Sequence, residues 1–137
     1  MSVSEKQQQL IDDLCIIEDV QERLSAVVAR ASKRHLPPEK RLDEHLVKGC
    51  VSRVWLIHRM ESGRCVFDAD ADSPMVKGLV ILLTDGYSDC EPADIVATEP
   101  ELWTALGFHK LLSPTRINGL AAVRERIKAL AESMLHV

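Results

Sequence analysis

Aromatic side chains are scarce: two Trp, one Tyr and two Phe make up 4% of 137 residues. Five rings are too few to line a single-stranded nucleic-acid groove, which works by stacking successive bases. Excess positive charge is lacking as well. Seventeen Lys and Arg face 21 Asp and Glu, a formal charge of -4, which argues against a generally basic nucleic-acid binder. The longest apolar run, Leu79 to Leu83, stops at Gly78 and Thr84, far short of the roughly 18 to 20 residues of a membrane span. The opening MSVSEKQQQLIDDL has no apolar stretch of the signal-peptide kind and no arginine of the transit-peptide kind, so a cytoplasmic location is expected.

Metal motifs are missing too. Cys15, Cys50, Cys65 and Cys90 stand 35, 15 and 25 residues apart, with no CxxC pair. His35, His45, His58, His109 and His136 form no HxxxH or HExxH pair, so no metal site is expected. In a reducing compartment the four cysteines should be free thiols. Cys15 near a helix end and Cys65 in a strand read as buried, and Cys90 between Asp89 and Glu91 as exposed.

What is present is an ordinary globular balance, 46% apolar and 28% charged, in a length that suits one domain. Apolar spacing predicts two helices between Ser4 and about Ser32, broken near Cys15 to Asp19. Pro37 and Pro38 then interrupt a basic, exposed connector that includes Arg30, Lys33, Arg34, Lys40 and Arg41. Val51 to His58 and the segment from Cys65 to Phe67 read as a hairpin, turned at Ser62 and Gly63, with a third short strand at His45 to Lys48. Ser73 and Pro74 start a buried helix over about 74 to 85, closed by Gly86. Short helices are expected at Glu91 to Ala97 and Pro100 to Leu106, and Ser113 and Pro114 open an amphipathic terminal helix. The class is α+β: one domain over 1–137, its core about 8 to 132, with a small antiparallel sheet of about three strands packed with helices. Trp55 and Trp103 are read as core aromatics.

Charge is divided unevenly. Residues 67 to 101 hold nine carboxylates and one lysine, whereas residues 102 to 137 hold five basic and two acidic side chains. A surface of two signs favours oriented docking on a partner.

Cys50 is the residue that carries chemistry. It follows Gly49, which permits backbone angles closed to other residues and leaves one side of the sulfur unshielded. Lys48 and Arg53 flank it, and nearby cations should ease its ionisation. The alternative is that Cys50, like many cysteines in apolar segments, is a small buried hydrophobe. His45, five residues upstream, would be the base of a Cys/His hydrolase, the less favoured reading. Asp70 and Asp72, ahead of Ser73, read as charges complementing a helix dipole, with a secondary role in docking a partner, rather than as an acid/base pair or a metal site.

The blocks Gly49-Cys50, Ser52, Val54-Trp55-Leu56; Asp70-Ala71-Asp72-Ser73 with Val76-Lys77-Gly78-Leu79; and Leu112-Ser113-Pro114 with Arg116, Gly119 and Leu120 occur in order. Together they resemble the SufE family, the sulfur acceptors of iron-sulfur cluster assembly, whose fold is similar to that of the IscU scaffold. The resemblance implies that Cys50 receives persulfide sulfur from a cysteine desulfurase of the SufS or CsdA type and stimulates that enzyme. It further implies that the sulfur passes to a downstream scaffold or acceptor. The chain would then be a transfer partner rather than a stand-alone enzyme. It would hold no cofactor of its own, the desulfurase supplying pyridoxal phosphate. Lys48, Gly49, Ser52, Arg53, Asp72 and Arg116 would support the loop or meet the partner. An IscU-like iron-sulfur or zinc scaffold and an adaptor without sulfur carriage are the alternatives, and a homodimer stays open. Two positions depart from the family pattern: Val51 stands where Gln or Glu is usual, and Asn118 where Ser is frequent.

Overall fold

The computed structural model describes residues 1–135; His136 lies outside the described residues. Among the described residues eight regular elements follow one another: α1 (Val3–Cys15), α2 (Val20–Ala31), β1 (Val54–Glu61), β2 (Arg64–Ala71), α3 (Pro74–Tyr87), α4 (Pro92–Ala97), α5 (Leu102–Ala105) and α6 (Pro114–Met134). Tight helical turns at Pro38–Lys40, Asp43–His45 and Phe108–Lys110 fill the connections.

Local chemistry explains most boundaries. Ser2 and Glu5 form a reciprocal cap on α1. Asp19 accepts from the backbone N–H groups of Gln21 and Glu22 at the start of α2. Between the two helices Arg23, buried, donates to the carbonyls of Leu14, Ile17 and Leu106 and so satisfies the end of α1. Prolines open α3, α4 and α6 at the first helical turn, where a missing N–H costs nothing. Ser113 accepts from Arg116 N at 3.3 Å as a true side-chain cap. Ser73 has the extended backbone of a cap, but its side chain makes no capping bond.

The strands pair antiparallel from Val54 opposite Ala71 to Glu61 opposite Arg64. Ser62 and Gly63 turn the hairpin with φ of 52° and 79°, the twist a two-residue hairpin needs. The third strand expected at His45 to Lys48 shrinks to a single pairing of Leu46 with Trp55. Asp43–His45 winds into a turn before it and Gly49 turns the chain away after it, so only one residue stays in the ladder. On the other edge Cys65 pairs with Cys90 in the same isolated manner.

α3 is buried continuously from Lys77 to Thr84 and runs two residues past the expected end, through Gly86. A helix apolar on nearly all sides belongs inside, and α1, α2, β2 and α6 all pack on it. Gly78 is required by that packing: a Cβ there would stand 3.0 Å from the Val28 Cα in α2. Phe67, Leu79, Leu83, Tyr87, Leu102, Leu106, Phe108 and Ile127 are among the largest fully buried side chains of the core.

Two readings of cysteine exposure are reversed. Cys15 is exposed because it sits on the outward side of the last turn of α1, and Cys90 is buried by its pairing with Cys65 and by the Met1 carbonyl 3.7 Å from its sulfur. Cys65 is buried as expected.

Candidate functional site

The loop between Lys48 and Arg53 is clamped at its base. Val47 N donates to Val54 O at 2.9 Å, and Arg53 and Asp72 exchange two bonds, Arg53 N to Asp72 Oδ1 and Asp72 N to Arg53 O, both 3.1 Å. Asp72 thus fixes the loop at its root instead of facing the thiol. Gly49 takes φ of 95°, and a Cβ there would lie 3.1 Å from that of Ala122. Both the backbone angle and the space demand glycine.

Beyond Gly49 the loop turns its thiol inward. Cys50 Sγ donates to the Gly119 carbonyl at 3.4 Å and borders a cavity of about 190 Å³. Two helix faces build the cavity. Val76, Leu79 and Val80 come from the first turns of α3 at offsets of 0, 3 and 4, and Arg116, Gly119, Leu120 and Val123 from α6 at 0, 3, 4 and 7, each set sharing one side of its helix. Ser52, Ser113 and Thr115 add hydroxyls near the opening turn of α6. That turn carries the positive end of a 21-residue helix dipole, and Arg116, half-buried, adds a full charge. The result is an aliphatic chamber with a polar, electropositive margin.

The expected ease of ionisation is reversed. Burial pushes the Cys50 thiol above its ordinary value. Lys48 and Arg53 are exposed, so water screens their charge and desolvation of the sulfur prevails. The carbonyl acts in the same direction, since only the protonated thiol donates to it.

The remaining candidates separate by place. Ser52 and Arg116 line the cavity with Cys50, whereas Lys48 and Arg53 stand outside it in solvent. Val51 lines the mouth and is 87% exposed. Asp70, read as a charge for the α3 dipole, is instead fully buried. It accepts from Leu36 N at 3.0 Å and Ala71 N at 2.8 Å and pairs with Arg41 at 2.8 Å and Lys77 at 3.5 Å. Sequence reasoning missed Thr115 and the role of Gly119 as the floor beneath the sulfur. Gly119 belonged to a recognised block, but its meaning depends on a contact across 69 residues of chain. Among the described residues no three His, Cys, Asp or Glu side chains converge as metal ligands, and no helix is long and apolar enough to cross a membrane.

Comparison with known proteins places this geometry. The model of the SufE family, described as an Fe-S metabolism associated domain, matches residues 8–131. An uncharacterised SufE-like protein of Rhizobium etli is 32% identical over 130 residues, covering 90% of this chain and 88% of its own length. The cysteine desulfuration protein SufE of Plasmodium falciparum is 30% identical over 105 residues, 73% of this chain but 42% of that longer protein. The chloroplastic/mitochondrial SufE-like protein 1 of Arabidopsis thaliana is 37% identical over 95 residues, 69% of this chain and 25% of its own. A solution structure of a hypothetical protein from Thermus thermophilus superposes with a TM-score of 0.78 at 21% identity, covering 96% of this chain and 97% of that one, a likeness of fold. With a family match that spans the Cys50 loop, the cavity beneath it and nearly all the helices around them, this chain belongs to the SufE family.

Proposed function

We propose that Cys50 is the acceptor thiol of a sulfur relay in iron-sulfur metabolism. The observation that carries the reading is a thiol on a glycine-turned loop, seated in a chamber with room for one more sulfur atom. In the step proposed, the Cys50 thiolate attacks the terminal sulfur of a persulfide on a cysteine desulfurase. A new S–S bond forms at Cys50 as the donor's S–S bond breaks, and the bonding pair leaves with the donor sulfur as thiolate. The proton lost by Cys50 balances the one that the donor thiolate takes up. A thiol and a persulfide thus exchange roles with no outside oxidant or reductant.

The residues supply three things. Gly49 gives the loop a hinge for bringing the thiol outward to meet the donor. The aliphatic walls from α3 and α6 shelter the loaded sulfur, which lies about 2.05 Å beyond Sγ. Arg116 and the opening turn of α6 offer positive potential to its anionic form. Ser52 trims the mouth, and Lys48, Arg53 and Asp72 shape and anchor the loop that the partner meets. The chain works as an activator of the desulfurase, clearing its persulfide, and not as a stand-alone enzyme. Pyridoxal phosphate chemistry stays in the partner. A scaffold or further acceptor takes the sulfur next. Four free thiols suit a reducing compartment, and a cytoplasmic setting is part of the proposal.

The test is non-reducing intact mass after incubation with a SufS-type desulfurase and cysteine. Wild type should gain about 32 Da per sulfur, with peptide mapping to Cys50 and not to the exposed Cys15, and Cys50→Ser should gain none. An active desulfurase that leaves Cys50 unloaded would overturn the reading.

A further inference from the structure

Exposed apolar side chains scattered singly over a surface need no explanation. Val51 differs because of what it adjoins. Among the large apolar side chains of the described residues it has the greatest exposure, at 87%, so it contributes almost nothing to the core. Its neighbour is the reacting thiol, and consecutive Cα atoms are about 3.8 Å apart. A donor sulfur must approach within a bond length of Cys50 Sγ, about 2 Å. The surface around that sulfur is therefore carried over Val51 at the same moment. Val51 also borders the cavity mouth. A polar side chain would serve solubility better at this position, and the fold does not ask for a valine.

Resting on the reading of Cys50 as acceptor, we propose that Val51 is a specificity-determining contact that packs on an apolar collar around the persulfide of the donor protein. A donor offering hydrogen-bonding groups there would have to bury them unpaired against the valine, and would be disfavoured. Complete burial of a valine side chain corresponds to about tenfold or more in affinity.

The experiment compares wild type with Val51→Asn, Val51→Gln and the conservative Val51→Ile. The first readout is the carrier concentration giving half-maximal stimulation of a desulfurase that loads wild-type Cys50, kept separate from the maximal rate. The second is loading of Cys50 by cysteine persulfide in free solution, read by intact mass. Val51→Asn and Val51→Gln should raise the half-saturating concentration about tenfold or more, Val51→Ile should stay near wild type, and loading from free persulfide should fall far less than loading by the desulfurase in each polar variant. Two results would overturn the proposal: an unaltered half-saturating concentration for Val51→Asn, or an equal slowing with both donors, which would assign Val51 to the loop's own conformation. Failure of wild-type Cys50 to load from either donor would instead strike the acceptor reading, and this inference with it.

Discussion

At the scale of single residues the site depends on a thiol held in its less reactive form. Only the thiolate is nucleophilic, and burial raises the Cys50 pKa, so alkylation of Cys50 should accelerate with pH to a midpoint above that of the same thiol in the unfolded chain. Mass-resolved iodoacetamide kinetics, with Cys15 as the exposed internal reference, would measure it. Gly119→Val tests the cause. A Cβ at Gly119 would sit 3.8 Å from Cys50 Sγ, and the branching methyls would occupy the space the sulfur now uses. The variant should keep its fold, alkylate faster at pH 7 and shift its midpoint downward. Glycine next to cysteine was legible in the sequence as presentation of a thiol. Its direction was not, because the thiol is turned inward by a carbonyl on α6, and flanking cations describe only the local chain.

Individual elements were read more completely, and for reasons that are local. Ser62 and Gly63 specify a two-residue turn, Pro74 and Pro114 each mark a first helical turn, and Ser113 caps as its side chain allows. The lost third strand shows where such signals stop: Leu46 has the composition of a strand residue, but the turns on either side of it come from the packing of the whole connector. At this scale Gly78→Ala is informative, since the helix preference for alanine, about 1 kcal/mol, opposes the clash with the Val28 backbone. That contact involves main chain and cannot swing aside, so overpacking of about 1 to 3 kcal/mol should prevail. Thermal and urea unfolding should both show a less stable variant. Ser113→Ala removes a single cap and should cost about 1 kcal/mol, read in the same way.

Over the whole molecule one carboxylate joins three separate regions. Asp70 in β2 holds the connector through Leu36 and Arg41, and α3 through Lys77, whose side chain is 9% exposed. Burial alone would raise the Asp70 pKa, but the N–H groups of Leu36 and Ala71 and the charges of Lys77 and Arg41 outweigh it and hold it below the ordinary 3.8. The unfolded chain then takes the proton first as pH falls. This part of the stability is complete above the ordinary aspartate value and is lost as pH drops through it towards the lower folded value. Asp70→Asn should flatten that dependence and, at pH 7, cost about 3 kcal/mol by leaving Lys77 without its carboxylate; urea titrations at pH 7 and pH 3 would separate the two effects. The linkage ties Asp70 to a connector about 30 residues earlier in the sequence, so no local pattern announced it.

The long central helix also separates the two ends of the molecule. The first turns of α3 wall the Cys50 chamber, while its last turn meets the amino terminus, where Lys6 donates to the Ser88 carbonyl and Val3 N to Asp94 Oδ2 at 2.7 Å. Fourteen helical residues span about 20 Å. A fusion tag or surface tether attached ahead of Met1 would emerge at the pole away from the sulfur, so immobilised protein should present its working loop to solution and capture partners as well as the untethered chain does.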